Sequence, residues 1–330
     1  MSTNSSVNVS VKEGVQAADD IVLDAKGIIV DYPVRGKKPF RAVHGVDLFV
    51  RRGETLGLVG ESGCGKSTTG KSLIQLPRPT QGEVMLGDLD LSKLSQKELR
   101  GVRNRLQMIF QDPIASLNPR RTAQEIVMDS LTLIGHKNPK ERALEILQSV
   151  GVDRQMASRR PHQLSGGQCQ RISIARSIAQ EPEVMICDEP VSALDVSVQA
   201  QVLNLLEEMK EEYSLSMVFI SHDLAVVANI SDRVAVMYLG RMCEVAPSTE
   251  LYSRPRHHYT NLLLDSVPKP GEQRKLKPVQ SDSGQVKYDG TGCPFASRCP
   301  AATQICKDEM PELKIIGDDH QVACHHPIED

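Results

Sequence analysis

Residues 54–76 constrain this chain more than any other stretch. A short apolar run, ETLGLVG, enters the glycine-rich octet GESGCGKS at residues 60–67, and a helix-forming run, KSTTGKSLIQL, leaves it. The order is strand, loop, helix, and the octet fits G-x-x-x-x-G-K-[ST]. Gly60, Gly63 and Gly65 let the backbone wrap closely, so that N–H groups point inward at phosphates. Glu61, Ser62, Cys64 and Thr68 are counted with the same phosphate loop. The helix N-terminus adds partial positive charge. Lys66 is placed to reach the β- and γ-phosphates of a nucleotide, and the Ser67 hydroxyl to ligate Mg²⁺.

A parallel sheet must surround such a loop, and the rest of the chain reads that way. IVLDAKGIIVDYPV and VHGVDLFV are early strands joined by a polar loop, RGKKPFR. EVMIC and SMVFI are short buried runs separated by the helical VQAQVLNLLEEMKEEY, and RVAVMYLG with RMCEVA reads as a closing hairpin. The fold class expected is α/β. Its core is a P-loop NTPase sheet, mainly parallel, with an antiparallel β subdomain and a helical subdomain. The divisions expected are a flexible leader at 1–19, an ATPase domain at 20–250 with helices at about 112–180, and a small, irregular, Cys-rich C-terminal extension at 251–330.

Composition excludes some partners. Lys and Arg total 39 against 42 Asp and Glu, a net charge near −3, so there is no global field for nucleic acid. Aromatics are 3% and tryptophan is absent, which argues against extended base-stacking surfaces for nucleic acid. No apolar run approaches the ~20 residues that span a bilayer. The polar start, MSTNSSVNVSVKEG, does not read as a secretion signal, so the eight cysteines are expected in a reducing compartment.

Asp188 and Glu189 follow the apolar run at 184–187. Carboxylates at the end of a buried strand are costly without a cation. Read alone, the pair is compatible with ordinary loop carboxylates. Read with the phosphate loop, Asp188 serves Mg²⁺, through water, and Glu189 orients or deprotonates the attacking water.

Residues 164–190, LSGGQCQRISIARSIAQEPEVMICDEP, decide the family. LSGGQ resembles the signature of ABC ATPases and runs into the acidic motif at their usual distance. The resemblance implies that Ser165, Gly166, Gly167 and Gln168 hold the γ-phosphate of a nucleotide on another subunit. It implies a Q-loop glutamine at Gln111, which contacts Mg²⁺ and the water, a D-loop aspartate at Asp195, a switch histidine at His222 and an adenine-stacking aromatic at Tyr32. Glu189, His222 and Gln111 are then the catalytic set. Cys169 departs from the basic residue often found after the signature.

The wording of AVHGVDLFVRRGETLGLVGESGCGKSTTGKSL, QMIFQDPIASLNPR and CDEPVSALDVSVQAQVLNLL is similar to ATPase subunits of bacterial oligopeptide and dipeptide importers. RPRHHYTNLLLDSVPKP resembles their C-terminal extension, with His258 where proline is usual. That resemblance implies ATP hydrolysis driving peptide import at the cytoplasmic face of the inner membrane. The partners implied are a second, different ATPase chain, two permease subunits and a substrate-binding protein. Nickel, glutathione and oligosaccharide importers are alternatives, as is a soluble ABC ATPase.

Cys293, Cys299, Cys306 and Cys324 crowd the C-terminal region, with five, six and seventeen residues between successive members. Four thiolates suit zinc or an iron–sulfur cluster, and the spacing matches neither the C-x₂-C zinc pattern nor the ferredoxin run. Resemblance to the importer ATPases implies a [4Fe–4S] cluster; zinc and free thiols are the alternatives. Cys64, Cys169, Cys187 and Cys243 are expected to be packing residues.

Overall fold

The computed structural model describes residues 20–266, 288 and 290–329. The expected leader at 1–19, and most of the Pro- and Lys-rich stretch before the cysteines, lie outside the described residues. Twelve strands are present among those described: β1 (Ile21–Tyr32), β2 (Phe40–Arg51), β3 (Thr55–Val59), β4 (Gln81–Leu86), β5 (Leu89–Asp90), β6 (Leu106–Ile109), β7 (Val184–Asp188), β8 (Ser216–Ile220), β9 (Arg233–Tyr238), β10 (Arg241–Pro247), β11 (Lys314–Gly317) and β12 (His320–Val322).

They form two sheets. The smaller is antiparallel, in the order β2-β1-β4-β5, and the larger runs β11-β12-β10-β9-β3-β8-β7-β6. Strands β6, β7, β8, β3 and β9 are parallel neighbours, which puts β3 and its following loop at the sheet centre. Every residue of β3, β7 and β8 is buried, as expected for runs covered on both faces. The helix Lys66–Leu73 lies close on the sheet because Gly70 has no Cβ; one added there would stand 2.5 Å from Ile220 Cδ1.

Helices fill the gap between β6 and β7, at Pro113–Ser116, Ala123–Leu133, Pro139–Ser149, Arg154–Ala157 and Gly166–Ile178. Several start where the sequence supplies a cap. Thr122 and Glu125 form a reciprocal capping box, and so do Ser165 and Gln168. The apolar faces at Ile126, Val127, Leu131, Ile146 and Leu147 join one core with Ile172, Ala175 and β7.

The C-terminal region is more regular than the sequence suggests. The expectation of an irregular tail is corrected at its end, where β11 and β12 form a hairpin whose second strand pairs antiparallel with β10 and so extends the main sheet. Its pattern is weak because Ile315 and Ile316 face outward, leaving only His320 and Val322 as buried signal. The polar loop between the first two strands is also shorter than read, because Phe40 already belongs to β2.

Glu244 of β10 fastens this region. Its side chain is fully buried, accepts from the backbone N–H groups of Arg256 (2.7 Å) and His257 (2.9 Å), and meets His320 Nε2 at 2.8 Å. Removing one partner of such a group strands several donors. Glu244→Ala is expected to lower unfolding free energy by about 2–4 kcal/mol, read as a fall in urea midpoint. An unchanged midpoint would contradict the role given to this carboxylate.

Candidate nucleotide site

The phosphate loop is shaped by its contacts before any ligand is considered. Gly65 has φ 102°, and a Cβ there would meet Ala42 O at 2.6 Å. Gly60, at φ 151°, lies against the Met237 carbonyl. A side chain at either position would push the loop off β9 and β2. Lys66 is 4% exposed, and its Nζ donates to the carbonyl oxygens of Gly60 (2.8 Å) and Glu61 (3.1 Å). A buried ammonium held by two neutral carbonyls, with Cys64 Sγ at 3.9 Å, is ready to exchange them for phosphate oxygens.

Facing it is the acidic end of β7. Asp188 is 1% exposed and accepts from Ser67 Oγ at 2.6 Å, with Lys71 Nζ at 3.8 Å. Burial pushes its pKa up, opposed by the Ser67 hydroxyl and Lys71. Ser67 and Asp188 are therefore a ready pair of oxygen donors for a hard cation. Glu189 has φ 47°, a left-handed conformation that turns its side chain out of the strand line, and its amide is fixed to Ile220 O at 2.9 Å. Its carboxylate accepts from Gln111 Nε2 at 2.9 Å and meets His222 Nδ1 at 3.2 Å.

One cavity of about 450 Å³ collects these groups. Ser62, Gly63, Gly65, Lys66, Ser67 and Thr68 form one wall, and Gln111, Glu189 and His222 form another. Tyr32, Phe40 and Ala42 close it, and Tyr32 Oη lies 3.5 Å from Thr68 Oγ1. Phe40, 61% exposed, and Ala42 are the lining residues that the sequence reading missed. Their signal was alternation on the strand that follows the polar loop.

Other expected site residues stand elsewhere. Gly60, Glu61, Cys64 and Asp188 lie behind the wall and do not line the cavity. The Cys64 side chain is 4% exposed, packs into the core beneath the loop, and has its thiol pKa raised by burial, so only its backbone belongs to the site. That burial matches the packing role expected of Cys64 from sequence. Ser165, Gly166, Gly167, Gln168 and Asp195 line no part of this cavity. The Ser165 hydroxyl accepts from Gln168 N–H at 3.3 Å at the start of the helix Gly166–Ile178, with Ser165 and Asp195 both exposed.

Residues 43–192 match the family described as ABC transporter, and residues 243–306 match the one described as oligopeptide/dipeptide transporter, C-terminal region. The oligopeptide transport ATP-binding protein AppF of Bacillus subtilis (strain 168) is 46% identical over 323 residues, which cover 94% of this chain and 98% of that protein. The chain belongs to the ABC transporter family. A probable peptide ABC transporter ATP-binding protein of Sinorhizobium fredii, y4tS, is 44% identical over 93% of this chain and 90% of its own length. The ABC cassette MJ0796, solved as a dimer in a post-hydrolysis state with ADP and Pi, superposes with a TM-score of 0.63 at 30% identity. That match covers 68% of this chain and 98% of the cassette. The fold is thus an ABC ATPase cassette with an added C-terminal region, and no helix among the described residues is long and apolar enough to cross a membrane.

The four C-terminal cysteines line one small cavity of about 10 Å³, with His257, His258, His325 and His326 also at its wall. Burial pushes the thiols of Cys293, Cys299 and Cys324 up, opposed by nearby backbone N–H groups of Phe295, Ala296, Ala301 and His326. No group of three or more His, Cys, Asp or Glu side chains among the described residues stands in metal-holding geometry. Cys169, Cys187 and Cys243 are buried in the core, as expected. His258 turns its ring to His326 O at 3.0 Å, which ties the HHYT segment to the last residues described.

The Glu189 contacts generate a direct expectation. Glu189→Gln removes a proton acceptor while keeping the shape of the cavity, so ATP turnover in the assembled complex should fall about 100-fold or more, with ATP still bound. Turnover within a few-fold of wild type would move the catalytic role to another group.

Proposed function

We propose that this chain is the ATP-driven motor of a peptide importer and works as one of two cassettes. The observation that carries the reading is the division of its own site. The phosphate-loop cavity holds Lys66, Ser67, Gln111, Glu189 and His222, whereas the signature helix start and Asp195 are exposed away from it. A second cassette supplying its signature would complete the cavity, and this chain would do the same for its partner. The dimeric form of the MJ0796 cassette supports that arrangement. Peptide as cargo is supported by the names of the relatives and by the match at 243–306.

The chemistry follows from the residues. Loop amides and Lys66 bind the β- and γ-phosphates, and Tyr32 and Phe40 offer an apolar edge for the adenine. Ser67 and Asp188 would hold Mg²⁺, which screens phosphate charge when bound. Glu189 orients the attacking water and draws its proton, while Gln111 and His222 fix the carboxylate and sense the γ-phosphate. Two nucleotides gripped by loop and signature hold the cassettes together, and phosphate release lets them part. The permeases at the inner membrane would turn that cycle into alternating access.

The cysteine region is read as a structural thiolate site for metal. Support comes from the donor type, since four sulfurs line one cavity, although no three of them stand in metal-holding geometry as they are placed. With a cavity of only about 10 Å³, the sulfurs would have to rearrange round either a single ion or a four-iron cluster. The [4Fe–4S] assignment rests on family resemblance, with zinc as the alternative.

One experiment addresses both parts. The tagged chain is purified anaerobically from native membranes, with partners identified by mass spectrometry and iron, sulfide and zinc measured. Two multi-span permeases, a second cassette and stoichiometric metal are expected. Soluble partners alone would overturn the transport reading, and a metal-free preparation would overturn the thiolate-site reading.

A further inference from the structure

The phosphate loop is held from behind by the C-terminal region. Three separate groups of Glu61 are engaged. Its amide donates to Tyr259 Oη at 2.9 Å, its carbonyl accepts from Lys66, and its carboxylate receives a two-pronged ion pair from Arg298 at 2.9 and 3.0 Å. Tyr259 is fully buried, and burial raises its pKa, so it remains a neutral phenol. Arg298 also donates to Tyr238 Oη at 3.3 Å and lies over the rings of Tyr238 and Phe295. Tyr238, Tyr259 and Phe295 pack together with ring centroids 4.5–5.5 Å apart. Phe295 and Arg298 sit between Cys293 and Cys299 in the chain.

A carboxylate inside an anion-binding loop is an electrostatic fault. Glu61 stands one residue past Gly60, and its charge opposes the phosphates that Lys66 and the loop amides attract. A lysine or a water shell would screen it loosely. A planar guanidinium with both forks engaged, backed by two aromatic rings, neutralises it in one fixed geometry. The same contact keeps the loop on its frame when Lys66 leaves the carbonyls of Gly60 and Glu61 for phosphate.

We propose that Arg298 and Tyr259 are positioning residues for nucleotide binding, through which the C-terminal region sets the charge and shape of the phosphate loop. The region is therefore part of the ATP site and not an appendage to it. Because Arg298 immediately precedes Cys299, whatever orders the cysteine segment also orders this clamp. The inference rests on the cassette's ATPase role and does not depend on which cargo is carried or which metal is bound.

The test is equilibrium ATP binding and steady-state hydrolysis by the assembled transporter carrying Arg298→Gln, Arg298→Lys, Glu61→Gln and the Arg298→Gln/Glu61→Gln pair. Arg298→Gln should weaken ATP binding about 5- to 10-fold, with kcat at saturating ATP within about twofold. The loss should shrink at high salt, because it comes from an exposed like charge. Arg298→Lys should recover part of it, and the double variant should bind ATP more tightly than Arg298→Gln alone. Unchanged affinity in Arg298→Gln would overturn the proposal. So would a double variant no better than the single one, since Arg298 would then only scaffold the tail. Lys66→Ala, which strips the phosphate site itself, separates these results. If it leaves ATP affinity intact, the nucleotide-site assignment fails, not the clamp alone.

Discussion

The buried ammonium of Lys66 sets the terms for the rest of the molecule. A nearly unexposed cation must have oxygen partners, and in the loop's own frame these are two backbone carbonyls. Such partners are adequate but neutral, so an incoming polyphosphate gains charge-assisted bonds by replacing them. The loop must then keep its shape after losing its internal tie. Ala42, Met237 and Gly240 hold it from the sheet side, Tyr259 and Arg298 from the C-terminal side. Its position at the centre of the parallel sheet follows, because only there do strands and helices converge on one loop.

Opposite the ammonium, Asp188 and Glu189 differ in burial, and the proposed function gives them two different tasks. Asp188 is sealed against Ser67, a geometry suited to a metal and its waters. Glu189 is thrown outward by its left-handed backbone into contact with Gln111 and His222, both exposed. Those two residues come from different elements, one after β6 and one after β8. Movement of either element therefore reaches the carboxylate, which is how a transporter can couple docking and closure to hydrolysis.

Much of this was legible in the sequence because it is local. The phosphate loop and the acidic strand end are each fixed by residues within a few positions of one another. The grouping of Gln111, Glu189 and His222 was available only through family resemblance, since no spacing rule brings 111 and 222 together. The Arg298–Glu61 pair spans 237 positions and has no sequence signature at all. It exists because the β11–β12 hairpin and the Phe295 aromatic cluster fold the tail onto the central core. The hairpin escaped notice for a related reason, being short and outward-facing on one side. Phe40 was hidden by a polar neighbourhood that reads as loop.

The central claim is that each nucleotide is enclosed by two cassettes. Val196, beside Asp195, is 82% exposed and stands where the claim puts the partner cassette. A photo-cross-linking residue at position 196, in the assembled complex carrying Glu189→Gln, tests this directly. The account predicts a cross-link to the other cassette that forms with ATP and Mg²⁺ and is lost on their removal. A yield indifferent to nucleotide, or no cross-link while ATP is bound, would contradict it.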